Sequence, residues 1–387
     1  MFRYYYTDSI YIENPEKMKI KVIIFIAIVL LTVSKVFALE FIVRGSADEM
    51  YDDNITASAD DPESDWVTNL MFGAEMKSEG RSREFKLTGN AYYEYYANNK
   101  ENSESYQDAG LSINKDIIDT VNFRLSDTFQ HYPESKDFGT LFGRTDDDTG
   151  YISNDLSAGL SVFLTKQFFF ELVYNNGIVN NDSRELEDSV SHEGGGDLGY
   201  YFNTANIVRA GYLFSRMKYD DGSVTRGDRG YAEYERFLTK QLRAILQGGY
   251  DYIDSDDGQS RNSRWEVSLV DDLDEINQVI IKYLKESTIS NITNDTLNNW
   301  QISAELRREI SGRLGVNISL FYGEGTYEIS RIIEKLGGAS LGLAFLVSEF
   351  VNFNAGYRYT WNSSEAPDAD ESSYNRNQVF VGISGEY

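Results

Sequence analysis

No cysteine occurs in the 387-residue chain, which excludes disulfides, a thiol nucleophile and cysteine-held zinc or iron–sulfur centres. Its two histidines, His131 and His192, are too few for a histidine-rich metal site. There are only four prolines, so long stretches keep every backbone N–H available for a ladder. Cations are scarce as well. Against 62 Asp and Glu stand 36 Lys and Arg, and a formal net charge of −26 repels phosphate backbones and argues against a nucleic-acid partner. Beyond residue 33 no apolar run approaches the length of a transmembrane helix, which excludes a helical membrane protein. What the chain has in excess is Tyr (28), Phe (22) and Gly (31), with 41% hydrophobic residues overall. Length alone suggests two or three soluble domains. The Tyr and Gly excess with little proline suggests many regular strands instead.

The first forty residues read as an address. Lys19 and Lys21 precede an uninterrupted apolar run, Val22–Val33, and Val36-Phe37-Ala38 places small residues at −3 and −1 of a signal-peptidase site. Twelve apolar residues are short for a bilayer span and suit a signal peptide, with an N-terminal anchor as the alternative. The expected organisation is an upstream extension (1–17), a signal peptide (18–38) and one mature domain (39–387), with translation beginning at Met18. Removing five basic and three acidic residues leaves 31 against 59, a mature charge of −28.

Along the mature chain apolar and polar residues alternate. In residues 83–96, Phe85, Leu87, Ala91, Tyr93 and Tyr95 oppose Glu84, Lys86, Thr88, Asn90 and Glu94. The same period of two returns at 242–251, 313–322 and 351–361. Tight turns are expected near Gly80, Ile117, Thr165, Thr204, Thr239, Asp274, Ser311 and Ser348, mostly 35–39 residues apart. Longer polar stretches lie between them and hold Pro62, Pro133 and Pro367. Two long strands per period, with short turns on one side and long loops on the other, describe an all-β transmembrane barrel. The expectation is an antiparallel up-and-down barrel of about 18 strands, with 16 as the alternative and a β-propeller as a less fitting one.

The last strand ends on an aromatic, and Val379, Val381, Ile383 and Tyr387 fall on the parity expected to face lipid. That row resembles the terminal signal read by the outer-membrane barrel assembly machinery. A first strand at Glu40–Ala47, followed by Tyr51-Asp52-Asp53-Asn54-Ile55, and the closing VFVGISGEY resemble the β-barrel porin type 2 family across the mature chain. The resemblance implies an outer-membrane barrel, with some members associated with exopolysaccharide export. It implies no catalytic residues.

Assigning the polar parity inward gives a candidate lumen of Glu84, Lys86, Glu94, Arg124, Arg209, Glu233, Arg243, Asp251, Arg264, Glu266, Lys282, Glu305, Arg307, Arg313, Arg358 and Arg376. With Lys77, Glu75, Asp108, Glu171, Asp197, Glu235 and Glu386 added, this wall is nearly balanced, which would leave the negative charge to the loops. The function expected is passive passage of small polar solutes or cations. The alternatives are exopolysaccharide export or assembly, and a non-conducting barrel plugged by the loop 131–150. Expected partners are outer-membrane lipid and lipopolysaccharide, the assembly machinery, and polysaccharide or small polar solutes. No cofactor and no enzymatic activity are expected. The runs Asp146–Asp148 and Asp254–Gly258 suit solvated loops better than calcium sites, because the EF-hand spacing is not met.

Overall fold

The computed structural model describes residues 39–132, 150–182, 187–256, 258–272, 277–289, 295–366 and 372–387. The expected extension and signal peptide, most of the 131–150 loop with Asp146–Asp148, Asp257 and the turn at Asp274 lie outside them.

The strands are β1 (Glu40–Asp52), β2 (Asp65–Gly80), β3 (Arg83–Tyr96), β4 (Glu104–Ile118), β5 (Val121–Tyr132) and β6 (Tyr151–Phe163). Next come β7 (Phe168–Asn181), β8 (Ser189–Asn203), β9 (Asn206–Tyr219), β10 (Val224–Phe237), β11 (Leu242–Ser255) and β12 (Gly258–Asp272). The last six are β13 (Gln278–Ile289), β14 (Thr296–Ser311), β15 (Leu314–Tyr327), β16 (Ile333–Ser348), β17 (Val351–Glu365) and β18 (Ser372–Glu386). Each pairs antiparallel with its chain neighbours, and β1 pairs with both β2 and β18, so the 18-stranded sheet has no free edge. This sets aside the 16-strand alternative. Strands of 12 to 16 residues exceed the roughly 9–11 needed to cross a hydrocarbon core, so their ends project beyond it. β1 continues past the expected end at Ala47 to Asp52, because Met50 and Asp52 prolong the inward row.

Directly paired residues of an antiparallel ladder share a face. One row carries Leu70 opposite Tyr93 and Phe72 opposite Ala91, and the other carries Asn69 opposite Glu94 and Glu75 opposite Thr88. The first row is outward. Phe72 is 64% exposed, and Leu172, Leu246, Ile302 and Val381 are exposed with it. Aromatics bracket this belt: Trp66, Tyr93, Tyr174, Tyr212 and Trp265 toward the long loops, and Phe41, Phe168, Phe202, Phe350 and Tyr387 toward the short turns. An apolar ring of this extent is stable against lipid and aggregates in water. By the plan of such barrels the short turns and both strand termini lie on the periplasmic side.

Closure rests on a polar seam. The β1–β18 ladder runs from Arg44↔Glu386 to Asp52↔Gln378, shorter than the β1–β2 ladder from Glu40↔Lys77 to Asp52↔Asp65. At its loop end Asp52, fully buried, accepts from Arg376 Nε at 2.8 Å and from Gln378 Nε2 at 2.8 Å. Asp53 accepts from the Asn377 backbone N–H (2.6 Å) and from its side-chain amide (2.7 Å). Asn54 donates to the Ser58 and Asn375 carbonyls. The YDDNI segment is therefore a clasp between the first and last strands. Just inside the rim, Ile55 packs with Val67, Tyr96 and Met50, so the first loop tucks into the mouth.

Acidic residues at the rim hold loop amides. Asp65 accepts the backbone N–H groups of Asn98 and Asn99 at 3.0 and 2.8 Å, and Asp295 those of Ile329 and Ser330 at 3.0 Å each. Burial opposes the Asp65 charge, but the N–H groups of Asn99, Asn98 and Trp66 outweigh it and hold the carboxyl below the usual range. A carboxyl depressed in the folded state adds stability above its ordinary value, and that stability is lost as pH falls through the depressed one. Acidification below the usual carboxylate range is therefore expected to lower the protection factors of the Asn98 and Asn99 amides, each taken against the intrinsic exchange rate at that pH. Asp65→Asn should largely remove that pH dependence, and unchanged protection factors in the native protein would refute the clamp.

Candidate functional site

The inward faces of β5 to β11 converge, with β13 beside them. Ser126, Asp155, Asn175, Glu193, Arg229 and Asp251 line one cavity of about 450 Å³, together with Ser287 of β13. Only the concave face of a closed sheet can bring so many strands to one space. The lumenal wall is thus the candidate site.

Ion pairs tie neighbouring strands across it. Arg44 reaches Glu75 at 2.7 Å, and Lys86 approaches the same carboxylate at 3.2 Å. Arg124 donates to Ser161 Oγ at 3.1 Å and to Glu171 at 3.2 Å. The longest network crosses β9 to β13. Arg209 pairs with Glu233 and, at 3.3 Å, with Glu235, which also takes Arg243 at 3.4 Å. Gln247 donates to Glu233 at 3.1 Å and accepts from Arg264 Nε at 3.1 Å. Arg264 also pairs with Glu286, and Lys282 with Glu266 at 3.1 Å. Arg229 holds Asp251 at 2.8 Å, and the second oxygen of Asp251 accepts the Ser287 N–H at 3.2 Å. That last bond passes over β12, whose ladder with β13 stops at Trp265↔Lys285.

The register also places the remaining candidates. Glu84 and Glu94 are inward, with Glu94 accepting from Tyr106 at 3.0 Å. Glu305 and Arg307 form an inward pair at 2.6 Å. Arg376 is inward but buried against Asp52, so its charge serves the seam rather than the bore. Arg313 lies in the turn between β14 and β15, off the wall, because a bulge at Glu309/Ser311 ends β14 two residues earlier. Val379, Val381 and Ile383 are outward and exposed, and Tyr387 exchanges backbone hydrogen bonds with Val43 at 2.8 and 2.9 Å.

Near-neutrality of the wall does not hold. The register adds Asp48, Glu104, Asp155, Glu193 and Glu286 to the inward acids and only Arg44 and Arg229 to the inward cations, while Arg313 leaves. The wall itself is acidic. Sequence parity missed these residues because local alternation breaks around Asp155 and Glu193, where Asn, Ser and Gly occupy both faces. The wall is also lopsided. From β15 to β18 the middle of its inward row is uncharged apart from exposed Arg358, with Ser319, Ser340, Gly342, Gly356 and Gly382 beside Phe321 and Phe380, while Glu334, Arg376 and Glu386 lie toward the strand ends.

Four inward rings, Phe169, Tyr231, Phe321 and Phe380, lie against cross-strand glycines. A Cβ at Gly211 would fall 2.4 Å from Tyr231 Cζ, so only glycine lets that ring rest on the wall. Gly211→Ala is expected to tip Tyr231 into the bore and lower single-channel conductance without preventing insertion. Unchanged conductance would show that the bore is not limited there. Tyr92 stacks on Tyr106 at 4.5 Å and Tyr201 packs on Phe169 at 5.2 Å. These rings pack against the wall. Both histidines are outward: His192 Nδ1 lies 2.9 Å from the Tyr174 hydroxyl, and His131 Nδ1 lies 3.5 Å from Gln107 Nε2. Among the described residues no group of three or more His, Asp or Glu is arranged to hold a metal.

No protein-family model and no curated protein matches the chain. Solved structures do. OpdK of Pseudomonas aeruginosa, solved with vanillate, is 9% identical, with 90% of this chain and 99% of that one covered at a TM-score of 0.50. OccK2 (OpdF) of Pseudomonas aeruginosa, solved with glucuronate, is 11% identical, with 90% and 98% covered at 0.50. At such identities the likeness shows the fold. The chain has the fold of an outer-membrane β-barrel, and its outward apolar belt fits a bilayer.

Proposed function

We propose that the barrel is a passive outer-membrane channel for small polar solutes, with a preference for cations. The acid excess on the inward wall carries this reading. Carboxylates such as Asp155 and Glu193 line the cavity without an arginine bonded to them, and a confined acidic bore concentrates cations and repels anions. Vanillate and glucuronate, held by the two similar barrels, fit the size class and polarity of solute. Their negative charge does not suit this wall. An acidic polysaccharide suits it less, since the bore lacks the arginine and lysine excess such a chain would need.

The same reading includes cleavage of the leader 18–38, assembly through the terminal row Val379, Val381, Ile383 and Tyr387, kinship with the β-barrel porin type 2 family, and no catalytic role. Liposome swelling tests it. Vesicles containing the refolded barrel should swell in small sugars and amino acids, at rates that fall with solute size. Rates no higher than those of empty vesicles, with insertion verified, would refute a channel.

A further inference from the structure

On the outward face, toward the long loops, two arginines meet across a ladder. Arg216 on β9 lies directly opposite Arg226 on β10, and on its other side opposite His192 of β8. Lys218 stands two residues closer to the loops on the same row. Arg261 of β12 faces the same way, with its guanidinium 5.2 Å from the Tyr252 ring centre. All four cations are exposed. Among the described residues none makes an ion pair. Asp254, opposite Arg226, comes no closer than 4 Å, and Asp228 is taken by the Tyr212 hydroxyl. Elsewhere on the outward rim the lysine at 335 is paired, with Glu365 at 2.7 Å.

Like charges directly opposite on a ladder repel. A chain with so few cations nevertheless sets two arginines face to face here, and a bound anion would offset the repulsion. Depth says which anion. Arg216 lies two residues loopward of Phe214, roughly 7 Å beyond the aromatic belt at about 3.3 Å per residue, at the level of outer-leaflet headgroups. An outward side chain at that level meets lipid headgroups rather than the bore.

We infer that this patch binds the phosphate groups of an outer-leaflet glycolipid, with Arg216 and Arg226 sharing one phosphate and Lys218 and Arg261 flanking it. Guanidinium groups suit phosphate through paired, charge-assisted hydrogen bonds. The site is independent of conduction, so failure of the channel reading leaves it standing.

The test uses the full barrel in detergent, mixed with bisphosphorylated lipid A or with the same lipid enzymatically dephosphorylated, and native mass spectrometry to count retained lipid. Retention of lipid A should exceed that of the dephosphorylated form at least about tenfold. The double variant Arg216→Ala/Arg226→Ala should fall to the dephosphorylated level. Arg236→Ala/Arg308→Ala, which removes outward cations at the turn end, should retain lipid A like the native protein. Equal retention of both lipids by the native barrel, or undiminished retention by the first double variant, would overturn the site. Displacement of the lipid by an equal concentration of inorganic phosphate would overturn its assignment to a lipid. If the first double variant does not fold, the two-lipid comparison on the native barrel decides alone.

Discussion

Asp52→Ala is expected to unlatch the barrel at its seam. The carboxylate is fully buried, joins the first strand to the last through Arg376 and Gln378, across 324 residues of chain in the first case, and also accepts the N–H of Asn54 just beyond its own strand. Removing it leaves a buried guanidinium facing a void and takes a partner from two further donors. Losing one partner of a buried pair costs about 3–5 kcal/mol, far more than any single pair on the exposed wall. The loss falls on the shorter ladder of β1, where closure has least to spare. The denaturant midpoint at which the fast-migrating folded band disappears from unboiled gels should therefore drop sharply. Asp52→Asn keeps the shape and part of the bonding, so it should fall between. An alanine variant as stable as the native barrel would show that backbone pairing alone closes the sheet.

The second large effect concerns permeation. Asp155→Asn combined with Glu193→Gln should cut the preference for cations several-fold while leaving the barrel folded. Both side chains line the cavity, and among the described residues the Glu193 carboxylate accepts from the Asn175 amide, at 2.8 Å, a bond glutamine can retain. A unit charge about 8 Å from a passing ion in water contributes about 0.5 kcal/mol, roughly twofold in the weight of that ion, so two charges give about fivefold. Screening demands low salt, because the Debye length is already about 10 Å at 0.1 M. Neutralising Arg358, an exposed cation midway along the sparsely charged β15–β18 wall, should act in the opposite direction and sharpen cation preference. A permeability ratio unmoved by the acidic pair, measured at low salt, would mean that ions take a path away from β6–β8.

How much of this was legible in the sequence depends on the strength of alternation. Strands such as β3 and β17, with aromatics on one parity and Lys, Arg, Asn or Glu on the other, reveal their faces directly, and so does the count of turns. Around Asp155 and Glu193 the pattern fades, since Asn154, Asn176 and Gly194 sit on the outward row beside Asp155, Asn175 and Glu193 on the inward one. The acid excess of the wall was hidden there, and the charge seemed to belong to the loops. The seam was hidden for a different reason. Asp52 and Arg376 stand at opposite ends of the chain, and only closure makes them neighbours. YDDNI was visible as a motif, but its role as a clasp needed the β1–β18 register.

The most direct measurement is the reversal potential of single channels in a planar bilayer under about a tenfold KCl gradient at low ionic strength. An acidic lumen requires the sign of faster potassium, with a magnitude that shrinks as salt rises. A reversal potential near zero, or one of the chloride sign, would contradict the cation-selective bore.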